Sequence, residues 1–367
     1  MKILHIHSDK KFISETLRYQ YDNINNTIVL LSNDDIELDL EIKSIRFRLN
    51  FLTLKKVLSY SEGFDLVVLY DLNTYHIAIA NALSPEIKII WRFFGQELYM
   101  LDKQSYLSDD TKKVNNASKS SFFNKVKASL SYRIKRQVYS SFYGYNFNLF
   151  QAISRISYMM VLFKEEYDLL NKKYALPPFL QIPLNHIELK RLNGNENKIL
   201  LGNSKNDFNN HLDVLHLLKG IDTSNCIIPL NYGTDSYYAE RVLQEARDQK
   251  ISVLNTFLPY SEYEDLLASC STFVLNSYRQ MAVGNILLAL KNGMKIYLHQ
   301  NNLVYHIFKS HDIRVFTIEE FSQDVVVGDL SISKNIALHN IEKYNCMVRC
   351  SKSEFLRSLA KIEQDLD

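Results

Sequence analysis

Lys198-Ile199-Leu200-Leu201-Gly202-Asn203-Ser204 is a short apolar run of strand length that breaks at a glycine and gives way to small polar residues, with a segment of helical period, Asn209–Lys219, behind it. The same order then repeats. Cys226–Leu230, Ile251–Leu258, Thr272–Leu275 and Lys295–Leu298 read as strands, and Ser236–Gln249, Ser261–Ala268 and Asn285–Lys291 as the helices between them. Strands alternating with helices predict a parallel, doubly wound sheet. The first half shows the same alternation less plainly: Lys2–His7, Thr27–Leu31, Leu66–Tyr70 and Ile87–Phe93 have strand character, and Thr74–Leu83 has helical period. Leu176-Pro177-Pro178, Pro183 and Gly194 form the densest break in the chain, which puts a domain boundary near 183–196. The expectation is an α/β chain of two Rossmann-like domains, 1–185 and 196–345, facing a central cleft. The cleft would lie at the carboxyl ends of the strands, where open α/β sheets bind ligands. A charged helical segment, 346–367, would pack back on the first domain.

Composition excludes several classes. A length of 367 residues suits about two domains. With 43 Lys and Arg against 41 Asp and Glu the formal charge is +2, so bulk charge does not mark a nucleic-acid binder. Ten glycines and six prolines exclude collagen-like and glycine-rich nucleotide-loop architectures, and each glycine that follows a strand gains weight as a place of close backbone approach. Cys226, Cys270, Cys346 and Cys350 are too scattered for a disulfide framework and have no His partners at zinc spacing, which points to a reduced, cytoplasmic protein. The N-terminal apolar run ends after six residues, too soon for a signal peptide, and no stretch reaches the ~18 apolar residues of a membrane span.

The strand-end loops are where chemistry belongs. Gly202-Asn203-Ser204 with Asn209 and His211 reads equally as an anion site at a helix start or as a plain turn with an Asn cap. Asn231-Tyr232-Gly233-Thr234-Asp235 reads as a capped turn, and Tyr260 as a base-stacking or ordinary surface tyrosine. In the loop Asn276–Asn285, Arg279 and Gln280 precede Gly284 and Asn285 at a helix start. A guanidinium beside helix N–H groups suits a diphosphate, and a simple exposed arginine is the other reading. In the first half, Glu97 follows the Ile87–Phe93 strand beside Gly95, where a general base would sit; His7 and Asp9, at the end of the first strand, are its competitors. Glu97 also reads as a helix-start carboxylate favoured by the dipole.

A resemblance adds to this. Leu258-Pro259-Tyr260-Ser261, Tyr263, Leu266-Leu267, Cys270, Tyr278-Arg279-Gln280 and Gly284 resemble the donor half of a GT-B glycosyltransferase, and more narrowly the bacterial 4-alpha-L-fucosyltransferase family. Gly202-Asn203-Ser204 with Asn209 and His211, the Trp91-Arg92, Gly95, Glu97, Tyr99 stretch and the strand ending in His7 are similar to that family as well. Glu97 stands where the family usually carries Asp, and Phe94 where it carries Trp. The resemblance implies a nucleotide-diphospho-sugar donor in the second domain and an acceptor in the first. It implies Arg279, Ser204 and the Gly284-Asn285 helix start at the diphosphate, Tyr260 near the base, no cofactor or bound metal, and inversion. The one Asp-x-Asp triplet, Asp365-Leu366-Asp367, lies away from any strand end.

Residues 112–148 hold eight Lys or Arg and no Asp or Glu. Phe122, Val126, Leu130, Ile134 and Val138 form an apolar row, with Phe123, Lys125, Lys127, Arg133, Lys135 and Arg136 off that line. The pattern suits an anionic bilayer surface and a polyprenyl-diphosphate-linked oligosaccharide acceptor, or a core-packed helix with a solvated basic face. The resulting expectation is a peripheral enzyme on the inner face of the cell membrane. It would add a deoxy-amino or fucose-like sugar to a lipid-linked oligosaccharide in surface polysaccharide (O-antigen or common-antigen type) synthesis. The alternatives are a soluble or protein acceptor, or an inert nucleotide-sugar-binding scaffold.

Overall fold

The computed structural model describes residues 1–9, 12–13, 25–33, 43–117, 134, 137–138, 140–141, 144–192 and 197–364. The chain forms two compact units, one of Met1–Met100, Val126–Leu184 and Cys350–Asp367, the other of Leu101–Lys125 and Asn185–Arg349.

The first unit holds a seven-stranded parallel sheet: β1 (Lys2–His7), β2 (Asn25–Leu31), β3 (Lys43–Phe47), β4 (Leu66–Tyr70), β5 (Lys88–Arg92), β6 (Tyr158–Val161) and β7 (Phe179–Gln181). Its order is β3-β2-β1-β4-β5-β6-β7. All five residues of β4 are buried, the mark of a strand covered on both faces. Ile3, Leu66, Val68, Ile90, Met160 and Leu180 pack together, and Phe355 and Ile362 of the last helix, Lys334–Gln364, join the same core. The helix Thr74–Ala82 starts where it does because the Asn73 side chain accepts the N–H groups of Tyr75 and His76, a cap worth about 1 kcal/mol. Its start fixes the loop between β4 and the helix, which carries Asp71.

The second unit holds six parallel strands: β8 (Lys198–Leu201), β9 (Cys226–Pro229), β10 (Ser252–Leu254), β11 (Cys270–Leu275), β12 (Lys295–Leu298) and β13 (Phe316–Thr317). They are ordered β10-β9-β8-β11-β12-β13. This unit also takes in the segment from Leu101, which the sequence reading keeps with the first domain. Polar docking explains the difference. The Ser108 N–H donates to Asn210 Oδ1 at 2.8 Å and Ser108 Oγ to Asp213 Oδ2 at 2.5 Å, while Asn115 Nδ2 donates to Asp207 Oδ2 at 2.9 Å. None of these contacts carries a signal in spacing or hydropathy.

Candidate active site

In each sheet the strand order reverses between two central strands, β1 and β4 in the first and β8 and β11 in the second, and such a switch point is where this class of sheet binds its ligands. Some of the sequence-predicted residues lie in the loops at these two points, while Tyr232, Gly233 and Tyr260 follow β9 and β10.

At the first switch point Ser8 follows β1 and Asp71 follows β4, and Ser8 Oγ donates to Asp71 Oδ2 at 3.1 Å. Asp71 has a left-handed backbone, φ +81°. The Asn73 N–H donates to its Oδ1 at 2.9 Å and His76 Nδ1 lies 2.6 Å from the same oxygen. Since His76 Nδ1 also faces the Asp71 carbonyl at 3.1 Å, and both neighbours are acceptors, the ring proton sits on Nδ1. Glu97 enters from the short helix Gln96–Tyr99 behind Gly95. Its Oε1 accepts from Trp91 Nε1 at 3.2 Å and from the Leu72 N–H at 3.3 Å, whereas its buried Oε2 has no hydrogen-bond partner. Burial, then the charge of Asp71, push the Glu97 carboxyl from 4.5 up to about 7. His7 is fully buried and stacks on Tyr70 at 3.7 Å. Burial, then the neighbouring His5 and His76, hold it well below the usual imidazole value. His5 is lowered to about 4 by burial, against an opposing bond to Asn26.

At the second switch point the loop after β8 folds onto itself. The Asn203 N–H donates to Asn209 Oδ1 at 3.1 Å, and the buried Ser204 Oγ donates to Asn203 Oδ1 at 3.3 Å. His211 opens the helix His211–Leu217 and lies against Gly202. Its N–H donates to Tyr238 Oη at 2.8 Å and its Nδ1 sits 3.1 Å from the same oxygen, and burial lowers it to about 3. Across from it, Asn210 Nδ2 donates to the Asn276 carbonyl and Asn276 Nδ2 to the Asn210 carbonyl, each at 3.1 Å. This reciprocal pair ties the β8 loop to the β11 loop. Arg279 is buried, its guanidinium 4.6 Å from the centre of the Phe208 ring, with Nη1 donating to the Gln280 carbonyl at 2.9 Å. Asn302 Nδ2 donates to the carbonyls of Ser277 and Arg279, each at 3.0 Å, and so holds the loop from the β12 side. The helix Val283–Lys291 then begins behind a left-handed Ala282, φ +55°.

Residues 134–347 match the family model described as 4-alpha-L-fucosyltransferase, glycosyl transferase group 56. The chain belongs to the 4-alpha-L-fucosyltransferase family. The whole chain is also similar in fold to an alpha,alpha-trehalose-phosphate synthase from Burkholderia vietnamiensis, at 6% identity and TM-score 0.62, with 100% of this chain and 99% of that one covered. A lipopolysaccharide outer core galactosyltransferase, WaaB, matches at 13% identity and TM-score 0.55 over 98% of this chain and 99% of that one. A sucrose-phosphate synthase from Thermosynechococcus elongatus matches at 12% and 0.58, over 95% and 100%. The fold is that of the GT-B glycosyltransferases, and the family makes this a glycosyltransferase with a nucleotide-sugar donor and a sugar acceptor.

Within this fucosyltransferase-family chain the predicted residues divide sharply. Glu97 stands at the first switch point. Asp9 is half-buried in the loop after β1, where its carbonyl accepts the Phe12 N–H, and His7 is fully buried in the sheet. Ser204 and His211 turn inward and position the loop, and Arg279 is buried behind its own loop where an exposed cation was one expectation. Gln280 is buried with it. Asn285 Nδ2 is committed to Tyr263 Oη at 2.8 Å, while Gly284 is exposed, with nothing within 4 Å of where a Cβ would stand. Tyr232 is half-exposed beside Gly233, its carbonyl accepting the Lys205 N–H at 2.8 Å. Tyr260 and Phe257 are exposed together after β10. Phe122, Phe123, Lys125, Lys127, Arg133, Lys135 and Arg136 lie outside the described residues.

Sequence reasoning missed Asp71, His76, Asn210, Asn276, Asn302 and His299. His299 follows β12 and stacks on Tyr278 at 4.0 Å. Asp71-Leu72-Asn73 after an apolar strand offered a usable signal, an acid next to a helix cap at a strand's carboxyl end.

Proposed function

We propose that this enzyme transfers a fucose-like or deoxy-amino sugar from a nucleotide-diphosphate donor to a lipid-linked oligosaccharide in surface polysaccharide synthesis. The transfer inverts the anomeric carbon and uses no bound metal, and the enzyme works as a peripheral protein at the inner membrane face. The observation that carries the reading is Glu97. One of its oxygens is anchored by Trp91 and Leu72, the other is unpartnered, and the carboxyl titrates near neutrality, the condition under which a general base works best.

In this reading the acceptor hydroxyl gives its proton to Glu97 Oε2 as its oxygen attacks the anomeric carbon. The bond from that carbon to the diphosphate oxygen breaks, and the electron pair leaves with the nucleoside diphosphate. The charge that develops there calls for positive potential, which Arg279 and the start of the helix Val283–Lys291 supply. The exposed backbone at Gly284 leaves room for a phosphate, and Tyr260 with Phe257 offers a flat apolar surface to a base. The lipid-linked acceptor is supported by the basic, aromatic run 112–148. Ile134 and Val138, the described members of its apolar row, are exposed.

The test is sugar transfer onto a polyprenyl-diphosphate oligosaccharide in anionic liposomes, with flotation measured on the same samples. Glu97→Gln is expected to lose about 10²–10⁴-fold in kcat, the usual worth of a general base, and wild-type protein to float with the vesicles. Near-wild-type turnover in both Glu97→Gln and Asp9→Asn overturns the base assignment. Protein that stays in the aqueous fraction overturns the membrane assignment.

A further inference from the structure

Two carboxylates meet at the first switch point, and their surroundings differ. Asp71 accepts from the Asn73 N–H at 2.9 Å and from Ser8 Oγ at 3.1 Å, and His76 Nδ1 stands 2.6 Å away. Every one of these partners is a donor, as an ionised carboxylate requires. Glu97 has two longer bonds on one oxygen and none on the other. Of the two acids, Glu97 is therefore the one whose environment tolerates a proton. The chain also links them directly. Asp71 adopts φ +81°, in the left-handed region that Gly, Asn and Asp enter more readily than other residues, and its side-chain contacts hold it there. The residue directly after this turn is Leu72, whose N–H is one of the two donors to Glu97 Oε1.

We propose that Asp71 is a positioning residue for the transfer reaction: its left-handed turn aims the Leu72 N–H at Glu97 Oε1, and its carboxylate, clamped by His76, Asn73 and Ser8, keeps a negative charge close to Glu97. The inference rests on the reading of Glu97 as the base. In that role the turn orients the carboxylate, and the charge makes it a proton acceptor strong enough for a sugar hydroxyl near neutral pH. Both oxygens of Asp71 are engaged, Oδ1 by Asn73 and His76 and Oδ2 by Ser8.

Other titratable groups pack around this point: on β4 Tyr70 Oη lies 3.3 Å from His5 Nδ1, and Asp9 is half-buried after β1. On β1, His5 and His7 are buried and their values are lowered, chiefly by burial. On the helix Thr74–Ala82, His76 is bonded to Asp71. On β5, Arg92 donates to the Phe93 carbonyl and lies over Phe94. On the helix Lys164–Asn171, Glu166 accepts from Tyr99. Asp71 is the neighbour whose charge raises Glu97.

The experiment pairs an NMR titration of the Glu97 carboxyl carbon, identified by its loss in Glu97→Gln, with the pH profile of kcat/KM. Asn tolerates a left-handed backbone, so Asp71→Asn keeps the turn and removes the charge. It is expected to lower the Glu97 midpoint by about one unit, the low end for a like charge at close range, and to carry the acid limb of the profile down with it. Asp71→Ala, which loses turn and charge together, is expected to lower kcat further than Asp71→Asn while leaving the KM for the donor within about twofold. A Glu97 midpoint that moves by less than about a third of a unit in Asp71→Asn overturns the proposal, even if Glu97→Gln is inactive. A midpoint that moves while Glu97→Gln stays active leaves the Asp71–Glu97 coupling standing and removes the base reading on which its catalytic purpose rests.

Discussion

Gly202→Ala puts one methyl group where the structure has no room for it. A Cβ at this position would stand 2.3 Å from His211 Nε2, 2.8 Å from its Cδ2 and 3.0 Å from Asn209 Oδ1. The ring cannot swing aside cheaply, because it is buried and lies 3.1 Å from Tyr238 Oη, which also binds the His211 N–H at 2.8 Å. The backbone adds a second cost, since φ is +72° and a left-handed alanine is worse than glycine by about 1–2 kcal/mol. Overpacking adds about 1–3 kcal/mol, and the stiffer unfolded chain returns about 0.4–1 kcal/mol. The net expectation is a loss of about 1–4.5 kcal/mol in denaturant unfolding at unchanged m-value. Gly284→Ala is the control. Its Cβ would meet nothing within 4 Å, its φ is not positive, and alanine inside a helix gains about 0.5–1 kcal/mol. His211→Ala in the Gly202→Ala background should recover part of the loss by removing the atoms in the way. If Gly202→Ala unfolds within about 0.5 kcal/mol of wild type, the packing of His211 on this glycine does not hold the loop.

Glu97→Gln should change the pH dependence of stability. A folded value raised from 4.5 to about 7 means the native state holds the proton more tightly than the unfolded chain, so the favourable contribution is full below 4.5 and is lost as pH rises towards 7. The wild type should lose up to about 3 kcal/mol over that window relative to Glu97→Gln, and thermal melts with parallel pH dependence in the two proteins would refute this. Asn210→Ala removes three side-chain bonds, to Ser108, Tyr106 and Asn276, from a buried left-handed position. It should cost about 3 kcal/mol, and a loss under about 1 kcal/mol would show that the two loops are held by other contacts.

What the sequence made legible follows the energetics. β1, β4, β8 and β12 are read at their observed ends because central parallel strands are continuous apolar runs bounded by polar loops. β3, with the half-exposed Lys43-Ser44-Ile45-Arg46-Phe47, β7 and the two-residue β13 escaped notice because edge strands owe their form to a neighbour rather than to their own composition, and the internal four-residue β6 escaped it because so short an apolar run does not separate strand from helix. The site divides in the same way. Its location at strand ends was readable, while the direction each side chain takes was not. Arg279 reads as a loop cation in sequence and is found packed on Phe208, and Asp71 stands out only once His76 and Glu97 are folded around it.

The glycines show why direction matters. In a chain with only ten, each glycine after a strand reads as a place where a ligand approaches the backbone. At Gly202 the group that approaches is His211 of the same chain, and Asn203, Ser204 and Asn209 spend their polar atoms on one another. At Gly284 nothing approaches, the residue is exposed, and the helix behind it leaves its first N–H groups without intrahelical partners. The same residue type at equivalent topological places therefore serves opposite ends. A glycine filled by its own protein sets a loop in shape, and a glycine facing open space leaves room for something else. In the proposed reading that distinction favours the β11 loop and the helix Val283–Lys291 for the donor diphosphate, while the β8 loop, shaped by His211 on Gly202, is tied to the β11 loop through the Asn210–Asn276 pair.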